Sequence, residues 1–78
     1  MHRNLKKPNE IVAQILEISI DQLNDDSAYG VTPNWDSLNH IGIINELEIN
    51  YNIIIPDIEI EKYLTMKAII QLYEKTRK

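Results

Sequence analysis

The chain has no cysteine anywhere in its 78 residues, so it cannot be stapled by disulfides, and that limits what it can fold into more than any other feature. A core of this size supplies only about 3–5 kcal/mol of net stability. Nearly every segment must therefore lend apolar side chains to one interior, and a single domain over 1–78, with its core at about 8–76, is expected. The missing thiols also exclude cysteine nucleophiles, cysteine-ligated zinc and iron–sulfur clusters, and they fit a reducing compartment. The opening Met1-His2-Arg3-Asn4-Leu5-Lys6-Lys7 is basic with no apolar stretch behind it, and no run approaches membrane-spanning length. A soluble, cytoplasmic protein without membrane insertion is expected.

Apolar spacing makes the interior helical. Pro8 suits a first helical turn, and Ile11, Val12, Ile15 and Leu16 follow at helical intervals, predicting a helix from Pro8 to about Glu17. The segment from Asn24 to Asn34 carries short polar residues, Gly30 and Pro33 and reads as a long loop, with Leu23, Tyr29 and Val31 expected to pin it to the core. A second helix opens at Asp36-Ser37, where Asp36 is a strong N-cap, and presents Ile41, Ile44, Leu47 and Tyr51 on one face. Ile53-Ile54-Ile55-Pro56 leads out extended, without a second strand to pair with, and a short helical turn follows at 57–62. Thr65 caps the last helix, in which Met66, Ile69, Ile70 and Tyr73 make the buried stripe, while Lys75, Arg77 and Lys78 complement the C-terminal dipole. The expected fold is all-α: a small bundle of three main helices plus a short third helix, with a long loop after the first.

Charge is distributed unevenly. Every Lys and Arg lies at or before Lys7 or at or after Lys62, while acidic side chains fill the stretch between. Such a surface repels the phosphates of nucleic acid and anionic lipid. It attracts proteins with basic patches and speeds their encounter; keeping a small protein soluble would use the same charge.

Conventional catalytic groupings are missing. His40 follows Ser37 by three residues, close on a helix, but no third group orients the base and no oxyanion donors stand out. Packing of His40 against the long loop is the expected role. The two histidines, His2 and His40, make no metal site.

Chemistry points instead to Trp35-Asp36-Ser37-Leu38. In a first helical turn the Ser37 hydroxyl is exposed. A phosphodiester on it would sit by unpaired backbone N–H groups and the positive end of the helix dipole, worth about 0.3–1 kcal/mol. With Asp36 capping the helix, Ser37 is free for modification. Leu38 and Ile49 fall opposite the buried face with Gly42 and Asn45, forming an exposed stripe; the bare Gly42 either lets a partner approach closely or is simply tolerated in the helix.

Asp36-Ser37-Leu38, the apolar helix Ile41, Ile43, Ile44, Leu47 and Tyr51, then Ile55-Pro56-Asp57, Glu61-Lys62 and Thr65 together resemble the acyl carrier protein family. Leu23 to Tyr29 resembles that family's loop before the serine, and the likeness runs from about Ile11 to Tyr73. It implies that a phosphopantetheinyl transferase moves 4'-phosphopantetheine from coenzyme A onto Ser37, whose arm then carries acyl groups as thioesters. It implies, too, that Asp36, Leu38, Ile41, Glu48, Ile55 and Asp57 meet the basic docking patches of acyl-loading and acyl-transferring enzymes, and Ile49 of the exposed stripe is expected to join them. The carrier would be a non-enzymatic monomer whose helices can part to sheath cargo.

Two departures from the pattern indicate a specialised member. Asn39, Gly42, Asn45, Ile49 and Asn50 stand where a run of acids is usual along the second helix, and Pro33, Asn34 and Trp35 replace the small residues before the serine. Two alternatives stay open: an aminoacyl or peptidyl carrier, since the arm is common to both, and an unmodified helical interaction module in which Ser37 is only part of the helix start.

Overall fold

The computed structural model describes residues 6–76. Three α-helices, α1 (Pro8–Leu16), α2 (Ser37–Tyr51) and α3 (Met66–Thr76), are joined by two 3-10 segments, Ile20–Gln22 and Asp57–Tyr63. The fold is all-α, as expected.

Each helix starts where local chemistry provides a cap. Pro8 stands in the first turn of α1, and the Lys7 N–H donates to Glu10 Oε1 at 2.9 Å. Thr65 Oγ1 accepts the Ala68 N–H at 3.1 Å and opens α3. α1 stops at Leu16 because Glu17 turns into the left-handed region with φ 58°, an uncommon conformation for a residue with a Cβ. A cap at Ser19, whose N–H donates to Gln22 Oε1 at 3.0 Å, forms the first 3-10 turn. The spacing of Ser19 and Gln22 is a capping box, a signal that the helical periodicity alone passes over.

The interior is built from Ile11, Val12 and Leu16 of α1, Ile43, Ile44, Leu47 and Tyr51 of α2, and Met66, Ile69 and Leu72 of α3, with Trp35 among them. Two details differ from the sequence expectation. In α2 the buried stripe runs His40, Ile43, Ile44, Leu47, Tyr51, the i, i+3, i+4, i+7 pattern begun one residue earlier, so Ile41 is rotated outward and 52% exposed. In α3 the stripe is Met66, Ile69 and Leu72, with Ile70 and Tyr73 half-buried on its flank. Arg77 and Lys78 lie outside the described residues.

The long connection is held by its own hydrogen bonds. Asn24 Oδ1 accepts the Asp26 N–H at 2.8 Å, Ser27 Oγ accepts the Asn24 N–H at 2.9 Å, and Thr32 Oγ1 accepts the Ala28 N–H at 2.9 Å. These are the turns that short polar side chains build. An isolated antiparallel bridge between Ala28 and Thr65 then ties the loop to the start of α3, through the Tyr29 N–H to Leu64 O at 2.8 Å and the Met66 N–H to Ser27 O at 2.9 Å. Leu23 is buried as expected. Val31 is not: the tight turn that bonds the Val31 and Thr32 N–H groups to Ala28 O carries its side chain to the outer tip, 77% exposed. Tyr29 is also largely exposed, although its ring packs edge-on to His40 at 5.8 Å. Trp35 fills the interior position that those residues were expected to share.

Ile53, Ile54 and Ile55 alternate half-buried, exposed and buried, as extended backbone requires. The Ile55 N–H, with no strand partner, donates to Glu48 Oε2 at 2.9 Å. At the far end of α2 the Tyr51 hydroxyl donates to Lys6 O at 2.8 Å, and its ring lies 5.5 Å from that of Tyr73. Burial, with lesser contributions from Tyr73 and Glu10, holds the Tyr51 phenol well above its ordinary value of 10.0. The folded state thus favours protonated Tyr51. That preference adds full stability below about pH 10, where the unfolded phenol titrates, and is lost as pH rises above it. Tyr51→Phe is expected to cost about 1 kcal/mol at neutral pH, for the hydrogen bond, and to flatten the loss of stability above about pH 10. Urea denaturation of both proteins between neutral and alkaline pH measures it; parallel pH profiles would refute it.

Candidate functional site

The N-terminus of α2 is the best-defined site. Asp36 has extended backbone, and its Oδ1 accepts the Asn39 N–H at 2.9 Å. The preceding turn is clamped by Asn34, which holds φ 68° while its side chain donates to Leu16 O at 2.8 Å and its carbonyl accepts from Asn39 Nδ2 at 2.8 Å. Ser37 thus begins a helix fixed to the end of α1.

Ser37 is exposed, and among the described residues its hydroxyl makes no hydrogen bond. The first amides of a helix lack intrahelical partners. Here Asp36 satisfies that of Asn39, leaving the N–H groups of Ser37 and Leu38 without a partner among the described residues. A group esterified to the Ser37 oxygen would project outward, with its anionic phosphate beside two free donors and the positive helix end. The residues present therefore fit a phosphodiester-linked arm.

A cleft of about 260 Å3 opens beside Ser37, between α2 and the 3-10 helix, lined by Tyr29, His40, Ile41, Ile60, Glu61 and Leu64. His40, 3% exposed, is its inner wall. The indole N–H of Trp35 can only donate, and it lies 3.1 Å from His40 Nδ1. Nδ1 is therefore the acceptor, and the proton sits on Nε2, which donates to Ile60 O at 3.1 Å. The histidine is neutral and links three elements: the turn before Ser37, α2 and the 3-10 helix. Both ring nitrogens are occupied, so neither is free to accept the Ser37 proton, and a Ser37–His40 hydrolytic pair is excluded by geometry. Displacing the ring would leave the Trp35 N–H and the Ile60 carbonyl unsatisfied, at about 1–3 kcal/mol each. Trp35 precedes the cap and His40 follows it by four, the positions of a hydrophobic staple, and that spacing is the sequence signal for this pair.

The residues expected on a docking face divide. Leu38, 77% exposed, and Ile49, 68% exposed, stand outside, as do Asp36, Ile41 and Asp57. Ile55 does not: it is buried in the core, because the alternation of the extended segment turns it inward. Glu48 is half-buried and spends an oxygen on the Ile55 N–H, so it braces the chain after α2. Gly42 was placed with the outward stripe, but a Cβ there would meet Ile15 Cγ2 at 3.4 Å; it faces α1 and not a partner. Because that distance is ordinary van der Waals contact, Gly42→Ala is expected to stabilise the fold by up to about 1 kcal/mol through helix propensity. A thermal midpoint below that of the wild type would show that α1 and α2 cannot accept the methyl.

No basic side chain is found between Pro8 and Glu61, so the surface around Ser37 is acidic and studded with single apolar residues. No helix among the described residues is long and apolar enough to cross a membrane, and no cluster of His, Asp and Glu there could hold a metal ion.

No protein-family model matches the chain. A curated relative, the acyl carrier protein of Cyanidium caldarium, is 33% identical over 67 residues, covering 86% of this chain and 78% of that protein.

Proposed function

Since the chain belongs to the acyl carrier protein family, we propose that Ser37 bears a 4'-phosphopantetheine arm and that the protein carries acyl intermediates on it without catalysing their conversion. The observation that carries this reading is the exposed, unbonded Ser37 hydroxyl in the first turn of a helix capped by its neighbour Asp36. The arm supplies the thiol that this cysteine-free chain lacks, and with it the thioester.

The chain's own residues position the attachment point and present it. Asp36 fixes the first turn, the Asn34 clamp fixes that turn to α1, and the free amides of Ser37 and Leu38 receive the phosphate. Leu38, Ile41 and Ile49 offer apolar contacts in an acidic surround that includes Asp36 and Asp57. Such a surface suits transferases and acyl-handling enzymes with basic patches, the charges steering encounter and the apolar residues giving contact area. Glu48 and Ile55 act behind this face by holding the segment after α2. The asparagines and the exposed Ile49 along α2, where acids are usual, support a specialised set of partners. We place the protein in the cytoplasm, as a monomer that visits several enzymes in turn.

Intact-protein mass spectrometry after incubation with coenzyme A, magnesium and a broad-specificity phosphopantetheinyl transferase tests the proposal. The expected outcome is a gain of one phosphopantetheine group. No gain with several transferases would return the chain to an unmodified interaction module.

A further inference from the structure

Trp35 and His40 close the interior directly behind Ser37, and we propose that they restrict the cargo to a short acyl group with a hydroxyl or amino end, held in the cleft between α2 and the 3-10 helix. The inference rests on the arm at Ser37 and adds to it the class of group carried.

Size is the first argument. An apolar cavity of ~150 Å3 accommodates one benzene ring. In proportion, the cleft beside Ser37, about 260 Å3, takes roughly ten heavy atoms. A long alkyl chain cannot be contained there: its remainder would have to lie in solvent or continue into the core.

The way into the core is blocked. The cleft's inner wall is the His40 ring, tied to Trp35 on one side and to Ile60 O on the other. Behind it stands Trp35, 2% exposed and among the largest fully buried side chains. A chain passing this point must break both hydrogen bonds and displace the indole. No buried side-chain nitrogen or oxygen among the described residues lacks a partner, so the closed arrangement is the satisfied one.

Lining chemistry is the second argument. Ile41, Ile60 and Leu64 give the cleft apolar sides, while Tyr29 and Glu61, both exposed, stand at its rim. Cargo with a hydroxyl or ammonium group finds an acceptor in the Glu61 carboxylate. A terminal carboxylate would be repelled by it, and a bare alkyl chain leaves it unused.

Coenzyme A thioesters of β-alanine, 3-hydroxybutyrate and dodecanoate, transferred with their arms by the transferase and verified by intact mass, provide the test. Amide shifts in 1H–15N spectra and thermal midpoints are compared with the arm-only protein. The β-alanyl and 3-hydroxybutyryl forms are expected to shift amides of Tyr29, His40 and Ile60 to Leu64, while Ile43, Leu47 and Ile69 stay in place. Dodecanoyl is expected to leave those core amides and the thermal midpoint unchanged. In His40→Leu, which removes both hydrogen bonds at similar volume, dodecanoyl is expected to raise the midpoint; if that variant does not fold, the wild-type series decides alone. Core shifts with a raised midpoint in dodecanoyl wild type, or short polar groups that leave the cleft amides unmoved, would overturn the inference while the attachment at Ser37 stands. Absence of any mass gain would overturn both.

Discussion

Ser37→Ala is expected to gain no mass under conditions that modify the wild type fully, and to unfold at nearly the same urea midpoint. The two halves of this result have separate causes. Modification needs the oxygen, and nothing else in the first turn of α2 can replace it. Folding does not need it: Ser37 is exposed and its hydroxyl bonds to no described residue, while the helix is capped by Asp36 through the Asn39 N–H. Alanine is a better helix former than serine, so the backbone is left slightly favoured. The pair of measurements separates a modification site from a structural serine. A capping serine would cost about 0.5–2 kcal/mol on removal. Retained mass gain in the variant would move the attachment elsewhere, and a large loss of stability would make Ser37 part of the helix start.

Trp35→Ala is expected to have the largest effect on stability of any single change near the site. Emptying a buried aromatic position costs about 3–5 kcal/mol. In addition, the loss of the indole N–H leaves His40 Nδ1 buried without its donor, at about 1–3 kcal/mol. Since the whole domain has about 3–5 kcal/mol of net stability at this size, the variant should be largely unfolded at room temperature. Trp35→Phe keeps part of the aromatic volume, loses the donor at about 1–3 kcal/mol, adds a smaller cavity cost than alanine, and is expected to remain more stable than Trp35→Ala. Far-UV circular dichroism against urea reads both, because the substitutions remove the chain's single tryptophan and with it the useful fluorescence. A Trp35→Ala protein as stable as the wild type would mean that the indole is not a structural plug, and would weaken the argument that it closes the interior to cargo.

Local signals in the sequence were sufficient for the helices and for the exposed serine at the start of the second. Pro8, Asp36 and Thr65 mark helix starts by chemistry that acts within three or four residues, and the structure begins its helices at Pro8, Ser37 and Met66. The exposure of Leu38 and Ile49 also follows from helical rotation alone. Ile41 and Gly42 were harder, because an α-helix turns 100° per residue and a helix with isoleucines on several sides has more than one plausible buried face. Which face is inside depends on where α1 lies, and Ile15 against Gly42 settles it.

By itself, then, the sequence determined that this chain would be one cysteine-free helical bundle with an acidic middle and a serine displayed at the start of its second helix. Those properties depend on composition, period and near neighbours. Tertiary structure alone decided that Val31 points out and Trp35 in, that Ile55 belongs to the core, that Glu48 braces the chain after α2, and that His40 joins Trp35 to Ile60. Each of these joins residues on different segments, or turns on which side of a loop meets the core. The free energy of burying one group in place of another is settled only when the elements pack.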